Sequence, residues 1–529
     1  MSDMNTQNGS QQPGGYTFNS IPNQTFVVKP EPVSELRRKF SDEFGFFGPA
    51  ILIYALIYAI CTFANPMGIF FGIYIASSIV LTCMAVKKLE IKPDGYCIFY
   101  MISIGLLGIS TFCTADESLV IFNKLGIFLL TLTLLLSLYC KTGNWTLSKW
   151  AFSMIELLTA SLGELDTPFK DYKHYRENRS KKGLGKGMYV LIGLIITFPV
   201  AIIVLALLAS ADMIFGDMIG NILKEIRIDN AFSVIVRFLF MFFISYAMLS
   251  YLTKQKIKEE AKDIRSLEPV IAITGASVLT FIYIVFCGIQ IKYLFLGNLP
   301  EKYTYAQYAR EGFFQLLAVS ILNLIIVLAI LGLFRENKVL KVILAGMSVC
   351  TFIMIASSAF RMIMYVTYYY MSTDRVVVLW TLLALTLVFA GVLVSIFKPS
   401  FPLFRYGVIV VTVLYIALSF ARPEYIVARI NLANTAVTVN ENGGYGKVDR
   451  QVGADDFYRT SVYYSDLEYL TDMSADAAPA IYEFYYAHPE YADIKVFSKY
   501  TNKVEDAYKE MNVRTFNISR YRAHRLAGK

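Results

Sequence analysis

Apolar residues recur along the chain in eleven stretches of roughly 18–25 positions, separated by polar segments that are mostly short. A helix rising 1.5 Å per residue needs about 20 such residues to cross about 30 Å of hydrocarbon. The pattern predicts spans at about 45–64, 67–86, 96–113, 119–139, 188–209, 231–251, 270–295, 313–334, 342–366, 376–397 and 405–422. The fold class that follows is all-α: a polytopic transmembrane helical bundle with a small, mainly helical C-terminal extramembrane domain. Asn65-Pro66 alone joins the first two spans, which predicts a tight helical hairpin. Gly68 and Gly72 form a GxxxG pair in the second span, a spacing that marks close helix contacts.

The polar segments supply orientation. Placing the N-terminus inside assigns 26 Lys and Arg residues to inner segments and 5 to the outer loops that precede the C-terminal region. Because basic loops stay in the cytoplasm, this predicts a multi-pass protein of the cell membrane with a cytoplasmic N-terminus and an outer C-terminus. Residues 1–44 are rich in Gln, Asn, Gly, Ser and Pro and read as a disordered cytoplasmic segment ending in Arg37-Arg38-Lys39. That polar prefix is too long for a cleavable leader. Spans one to four occupy 45–139, a basic cytoplasmic segment 140–187, and spans five to eleven 188–422. Within 140–187, Trp150 to Leu165 reads as an amphipathic stretch on the inner surface. Lys170, Lys173, Arg176, Arg179, Lys181 and Lys182 follow it. They offer either a surface for anionic lipid headgroups or an ordinary positive-inside loop.

Residues 423–529 change character, mixing charges of both signs with tyrosines, and read as an outer domain. Ala436–Val439 and Tyr445–Val448 flank Asn440-Glu441-Asn442-Gly443-Gly444, a hairpin signal. Asp476 is placed to cap a helix with Pro479 in its first turn, and further helical patterns lie near 491–511 and 516–527.

Composition agrees with a membrane chain: 56% of the 529 residues are hydrophobic, 17% are charged, and mean hydropathy is +0.50. The formal charge of +8 is accounted for by the short inner loops, so it does not call for nucleic acid. The seven cysteines lie in or beside apolar runs and suggest neither a disulfide framework nor a zinc site. Lys182-Gly183-Leu184-Gly185-Lys186-Gly187 lacks the spacing and hydroxyl of a phosphate loop and reads as a basic lead-in to a span. No GxSxG, HExxH or dinucleotide fingerprint occurs, so no catalytic, metal or cofactor residue is assigned.

Several polar residues interrupt the spans. Arg237, Arg361, Gln290 and Lys292 fall near outer ends, Asp212 closes the fifth span, and Asn323, Ser357 and Ser358 lie deeper. Outer loops add Arg310-Glu311 and Asp374-Arg375. An Arg at a helix centre costs at least about 2.5–3.5 kcal/mol, so such groups face a partner or a wet cavity. One reading gathers Asp212, Arg237, Gln290, Arg310, Glu311, Asn323, Arg361, Asp374 and Arg375 into an outward polar vestibule for an anionic ligand. The other has both arginines snorkel and pair with carboxylates or backbone carbonyls.

Certain runs resemble a known family. Ser210-Ala211-Asp212 with Phe215, Gln290 with Tyr293-Leu294-Phe295 and Gly297, and Tyr308-Ala309-Arg310-Glu311-Gly312-Phe313 are similar to its recurring motifs. Ser358-Ala359-Phe360-Arg361-Met362, Ala428-Arg429-Ile430-Asn431 and Asp476-Ala477 with Pro479 continue the likeness in order. The chain thus resembles an uncharacterised bacterial membrane-protein family, domain of unknown function 4173, and its relative 4153. Tyr368-Tyr369-Tyr370 and Ala421-Arg422-Pro423 depart from the pattern. The resemblance implies the architecture and marks Asp212, Arg310, Glu311 and Arg361 as motif members, and it implies no activity. Three functions stay open: transport of a small or anionic solute, a non-enzymatic envelope scaffold or sensor binding a partner through its outer domain, and an enzyme on lipid-linked substrates. The absence of any intramembrane His counts against the last.

Overall fold

A computed structural model describes residues 34–65, 67–143, 145–179, 228–257, 265–295, 312–369, 371–433, 469–488 and 495–528, with single positions between 193 and 215 and short strands at 438–439 and 445–446. Among them, ten helices are long and apolar enough to cross a membrane. They are α2 (Phe44–Thr62), α3 (Ile69–Lys88), α4 (Gly95–Cys113), α5 (Glu117–Tyr139), α8 (Ile228–Thr253), α9 (Pro269–Gln290), α10 (Phe313–Leu333), α11 (Lys338–Tyr369), α12 (Thr373–Phe397) and α13 (Leu403–Ala421). Ten of the eleven expected spans are therefore present, within a few residues of their expected ends. The expected span 188–209 falls mostly outside the described residues, as does the lead-in 182–187 before it.

Local chemistry sets the helix starts. Asp94 caps α4 by accepting from the Cys97 amide at 2.9 Å, and Ser372 caps α12 through the Arg375 amide at 3.4 Å. Pro269 occupies the first turn of α9, where its missing N–H is no loss. Helices α2 to α5 and α8 pack as one group, α9 to α12 as a second, and α13 lies against α4, α5 and α12.

One face of the bundle carries α1 (Glu35–Asp42), α6 (Leu147–Ala160) and α7 (Thr167–Arg179). The boundary expected for a disordered segment, at residue 44, is corrected by α1, while residues 1–33 lie outside the described residues. The reason for α1 is a buried ion pair: Arg37 donates two hydrogen bonds to Asp171 of α7, at 2.6 and 2.8 Å. Asp171 also accepts from Tyr246 at 2.8 Å and Ser41 at 3.0 Å, while Phe40 packs 4.7 Å from Phe47 and 5.1 Å from Tyr246. Ser34 caps α1 through the Arg37 amide and donates to the Thr253 carbonyl at the end of α8. A charge that reads as a membrane flank in the sequence thus ties three helices together. The amphipathic stretch expected at 150–165 is α6 with a short 3-10 turn after it. Trp150 and Leu157 face the bundle, and Phe152, Ile155 and Leu162 form an exposed apolar edge.

The opposite face carries the C-terminal domain. Helix α14 (Pro423–Ala433) follows α13 through Arg422, whose φ of 53° breaks the helix. Strands β1 (Thr438–Val439) and β2 (Tyr445–Gly446) pair antiparallel with Val439 opposite Tyr445, within the two segments expected to flank a hairpin turn. Helices α15 (Ala478–Ala487), α16 (Lys495–Lys509) and α17 (Ile518–Ala527) close on α14 around Val427, Ile481, Phe497, Tyr500 and Ala523. Helix α7 packs against the later half of α8, where Asp171 accepts from Tyr246.

Removing one partner of a buried pair strands the other charge, at a cost of about 3–5 kcal/mol. Asp171→Ala is therefore expected to lower the thermal midpoint of the detergent-solubilised protein markedly. Arg37→Met combined with Asp171→Leu should recover most of that loss, because neither charge is then buried.

Candidate functional site

The intramembrane polar groups divide into separate sets. The Gln290 side-chain oxygen on α9 accepts from Ser357 at 2.8 Å and from Arg361 at 3.1 Å, both on α11. All three side chains are buried, and Ser358 beside them donates to the Phe313 carbonyl of α10 at 3.1 Å. Asn323 on α10 accepts from Tyr283 of α9 at 2.8 Å and donates to Thr351 of α11 at 3.0 Å. Gln290, Asn323 and Arg361 thus cross-link the second helix group.

Arg237 belongs elsewhere. Its guanidinium donates to the Thr62 carbonyl of α2 at 3.2 Å and to Ser233 at 3.4 Å, and lies 5.9 Å from the Phe63 ring centroid. None of these contacts reaches the Arg361 group. Arg375 stacks on Tyr365, 4.2 Å from its centroid, and Asp374 sits in the first turn of α12. Asp212 accepts from the Phe215 amide at 2.7 Å. Arg310 and Glu311 lie outside the described residues. Of the nine vestibule candidates, the described contacts join Gln290 directly to Arg361, with Asn323 on the same three helices.

A further polar knot went unseen in the sequence. Asn123, fully buried on α5, accepts from Tyr415 at 2.9 Å and Ser419 at 3.0 Å on α13, and donates to Ser110 of α4 at 3.3 Å. It fastens α13 to the first helix group. An Asn among apolar residues was the available signal, since such a side chain must find partners in hydrocarbon.

The most elaborate polar arrangement lies at the C-terminal face, where the domain meets the loops of the bundle. Asp476 was expected to cap its own helix. Instead α15 has no side-chain cap, and Ser474 caps the 3-10 turn that leads into it, accepting from the Asp476 amide at 3.2 Å. The Asp476 carboxylate crosses to the loop between α4 and α5, where it accepts from the Ala115 amide at 3.1 Å and from the Thr114 hydroxyl. Asn517 caps α17 through the Ser519 and Arg520 amides, and its own amide donates to Thr114 at 2.7 Å and Met67 at 3.3 Å. Asn65 accepts from the Gly68 amide at 2.7 Å and donates to the Arg514 carbonyl at 3.2 Å, while the Ile69 amide donates to Phe516 at 2.9 Å. The two glycines of the GxxxG pair do mark close approaches, to different partners. A Cβ at Gly68 would lie 2.5 Å from the Arg514 carbonyl oxygen, and one at Gly72 would lie 2.8 Å from the Phe112 ring of α4.

Beside this junction is a cavity of about 420 Å³, lined by Asp116, Glu117, Glu424, Asp472, Lys503 and Arg520 among others. Asp116 caps α5 through the Ser118 and Leu119 amides. Glu424 accepts from the Ser474 amide at 2.8 Å and from its hydroxyl. Burial pushes the Glu424 carboxyl up to about 7, against the Ser474 hydrogen bonds and with help from the Asp116 and Asp476 charges. Burial raises Asp116 too, the Asp476 and Glu117 charges adding to it and its α5 amides opposing. Lys503 donates to the carbonyls of Thr471, Asp472 and Met473 at 2.9–3.1 Å, closing one wall. A carboxyl raised to about 7 at Glu424, beside the cations Lys503 and Arg520, suits a small polar ligand or a proton. Among the described residues no group of three or more His, Cys, Asp or Glu gathers as metal ligands.

Ten spanning helices with a helical domain docked on one face define a multi-pass integral membrane protein. The chain belongs to the family described as Domain of unknown function (DUF4153), whose model matches residues 101–484. This is the second of the two related families that the sequence motifs resemble. The match takes in Asp116, Asn123, Gln290, Arg361, Glu424 and Asp476 and stops before Asn517. No curated protein matches the chain, and no solved structure does.

Because the folded-state pKa of Glu424 lies above its ordinary 4.5, folding takes up a proton between about pH 4.5 and 7. Stability is therefore expected to fall as pH rises through that window and to level off above it. Glu424→Gln should flatten the slope of thermal midpoint against pH without abolishing it, because Asp116 acts in the same direction. Asp476→Ala, which leaves the Ala115 amide and Thr114 hydroxyl buried without their acceptor, should cost about 1–3 kcal/mol and speed proteolysis of the C-terminal domain.

Proposed function

We propose that this protein is a non-enzymatic envelope component, a sensor or scaffold whose C-terminal domain binds a partner outside the cell and is held rigidly on the bundle. The observation that carries this reading is the junction itself. Asp476 and Asn517 spend buried side chains on the backbone of the α2–α3 and α4–α5 loops, so a load on the domain acts directly on four spanning helices. The intramembrane polar groups support it as well. Arg361, Asn323, Asn123 and Arg237 each serve helix-to-helix contacts, which is the pairing expected of a scaffold rather than of a solute path.

The lysine and arginine distribution supports a cytoplasmic face bearing α1, α6 and α7, in the cell membrane, with the C-terminal domain outside. The cations of α7 are partly compensated there, Lys170 by Asp166 at 2.6 Å and Lys173 by Glu177 at 4.0 Å. A positive-inside segment accounts for them with no dedicated lipid site.

The test uses the full chain in its own membrane, with a photoreactive residue at exposed Tyr486 or Val513. A discrete adduct with one envelope protein is expected, unaffected by Arg361→Gln and lost in Asn517→Ala. Flux of small anions into proteoliposomes that collapses in Arg361→Gln would instead establish transport and overturn the scaffold reading.

A further inference from the structure

A second cavity lies at the opposite face, where α10 ends and α11 begins. Its volume is about 380 Å³, and it opens between the start of α6, the α10–α11 turn and the α12–α13 turn. Three cations line it, Arg265, Arg335 and Lys341, against one carboxylate, Glu336. Glu336 is shared: Arg265 contacts it at 2.8 Å and Lys341 at 2.7 Å. Arg335 leans out to Glu268 at 3.2 Å and is well exposed. The rim therefore keeps a positive excess. Two helices aim their N-termini at it, α6 through Thr146 to Ser148 and α11 through Asn337 to Lys341, and each adds the positive end of its dipole.

The inner wall is of another kind. Leu328, Leu331, Leu344 and Ile396 belong to spanning helices and make the deep side apolar. Trp145 and Phe404 line the end under α6, with Trp150 behind them, stacked on Phe404 at 4.5 Å and edge-on to Trp145 at 5.1 Å. The exposed apolar edge of α6 places that helix in the plane of the interface, so the cationic rim sits at headgroup depth. A soluble phosphate compound would use the rim and leave the leucine wall bare. A membrane lipid uses both.

We propose that this cleft holds the phosphate group of an anionic membrane lipid, its acyl chain lying against Leu328 and Leu331. This is independent of the reading of the C-terminal domain, because it concerns the other face.

The full-length protein is placed in phosphatidylcholine nanodiscs and titrated with phosphatidylglycerol carrying brominated acyl chains, which quench nearby tryptophans. The chain has three tryptophans, and a Trp380→Phe background leaves Trp145 and Trp150 as reporters. Quenching is expected to saturate at low mole fractions of phosphatidylglycerol and to exceed that from brominated phosphatidylcholine. Each cation removed from the rim should weaken it about 5-fold, so Arg335→Gln with Lys341→Gln shifts half-saturation by roughly 25-fold. Arg335→Gln alone, at an exposed position, provides the same test should the double variant not fold. Lys170→Gln with Lys173→Gln on α7 should leave the curve unchanged. Equal quenching by brominated phosphatidylcholine, or indifference to the rim variants, would overturn the proposal. So would glycerol phosphate or inorganic phosphate binding as tightly as the lipid, which would mark a site for soluble phosphate.

Discussion

The buried carboxylate of Asp476 and the amide of Asn517 hold the C-terminal domain and the bundle as one body. Each accepts or donates across the boundary to backbone groups of the loops at Met67 and Thr114–Ala115. Neither half has that network alone, because a buried donor or acceptor without its partner costs about 1–3 kcal/mol. The loops order the domain and the domain orders the loops. Asp116, which caps α5, lies within this junction, as does Glu424, which opens α14. Any event that changes their protonation or fills the cavity beside them therefore acts on the ends of spanning helices.

Inside the bundle the same rule operates with less water to relieve it. Hydrophobic burial cannot distinguish helix from lipid tail, so association relies on close packing and on hydrogen bonds between helices. Asn123 joins α4, α5 and α13, Asn323 joins α9, α10 and α11, and the Gln290–Arg361 contact joins α9 to α11 near their ends. Arg237 ties α8 to the end of α2. Each of these links lies where two or three helices meet, and each fastens one helix to another.

How much of this was legible in the sequence depends on the range of each interaction. Span positions follow from run length, a local property, and ten spans appear where the apolar runs place them. The hairpin at Val439 and Tyr445 and the helices of the C-terminal domain follow from turn and capping signals that are also local. Position along each helix was legible too, for Arg237 and Arg361 both lie toward the ends of their helices on the C-terminal face. Lateral position was not, and it separates those two arginines between different helix groups. The same limit hid Arg37, whose carboxylate partner is 134 residues away, Asn123, whose hydroxyl partner is 296 away, and Asp476, whose partners are 361 and 362 away. A carboxylate just before a helix looks like a cap, and nothing nearby in the chain announces that Asp476 turns instead to the loop at Thr114–Ala115.

The claim that the domain and the bundle are one body is tested most directly by amide hydrogen exchange on the intact protein. Exchange at Ile69 and Ala115, whose N–H groups donate to Phe516 and Asp476, should be as slow as in the core of the C-terminal domain. In Asn517→Ala it should rise at both loops together. Fast exchange at both positions in the unaltered protein, at rates typical of exposed loops, would show a domain that only rests on the membrane helices and would contradict the account.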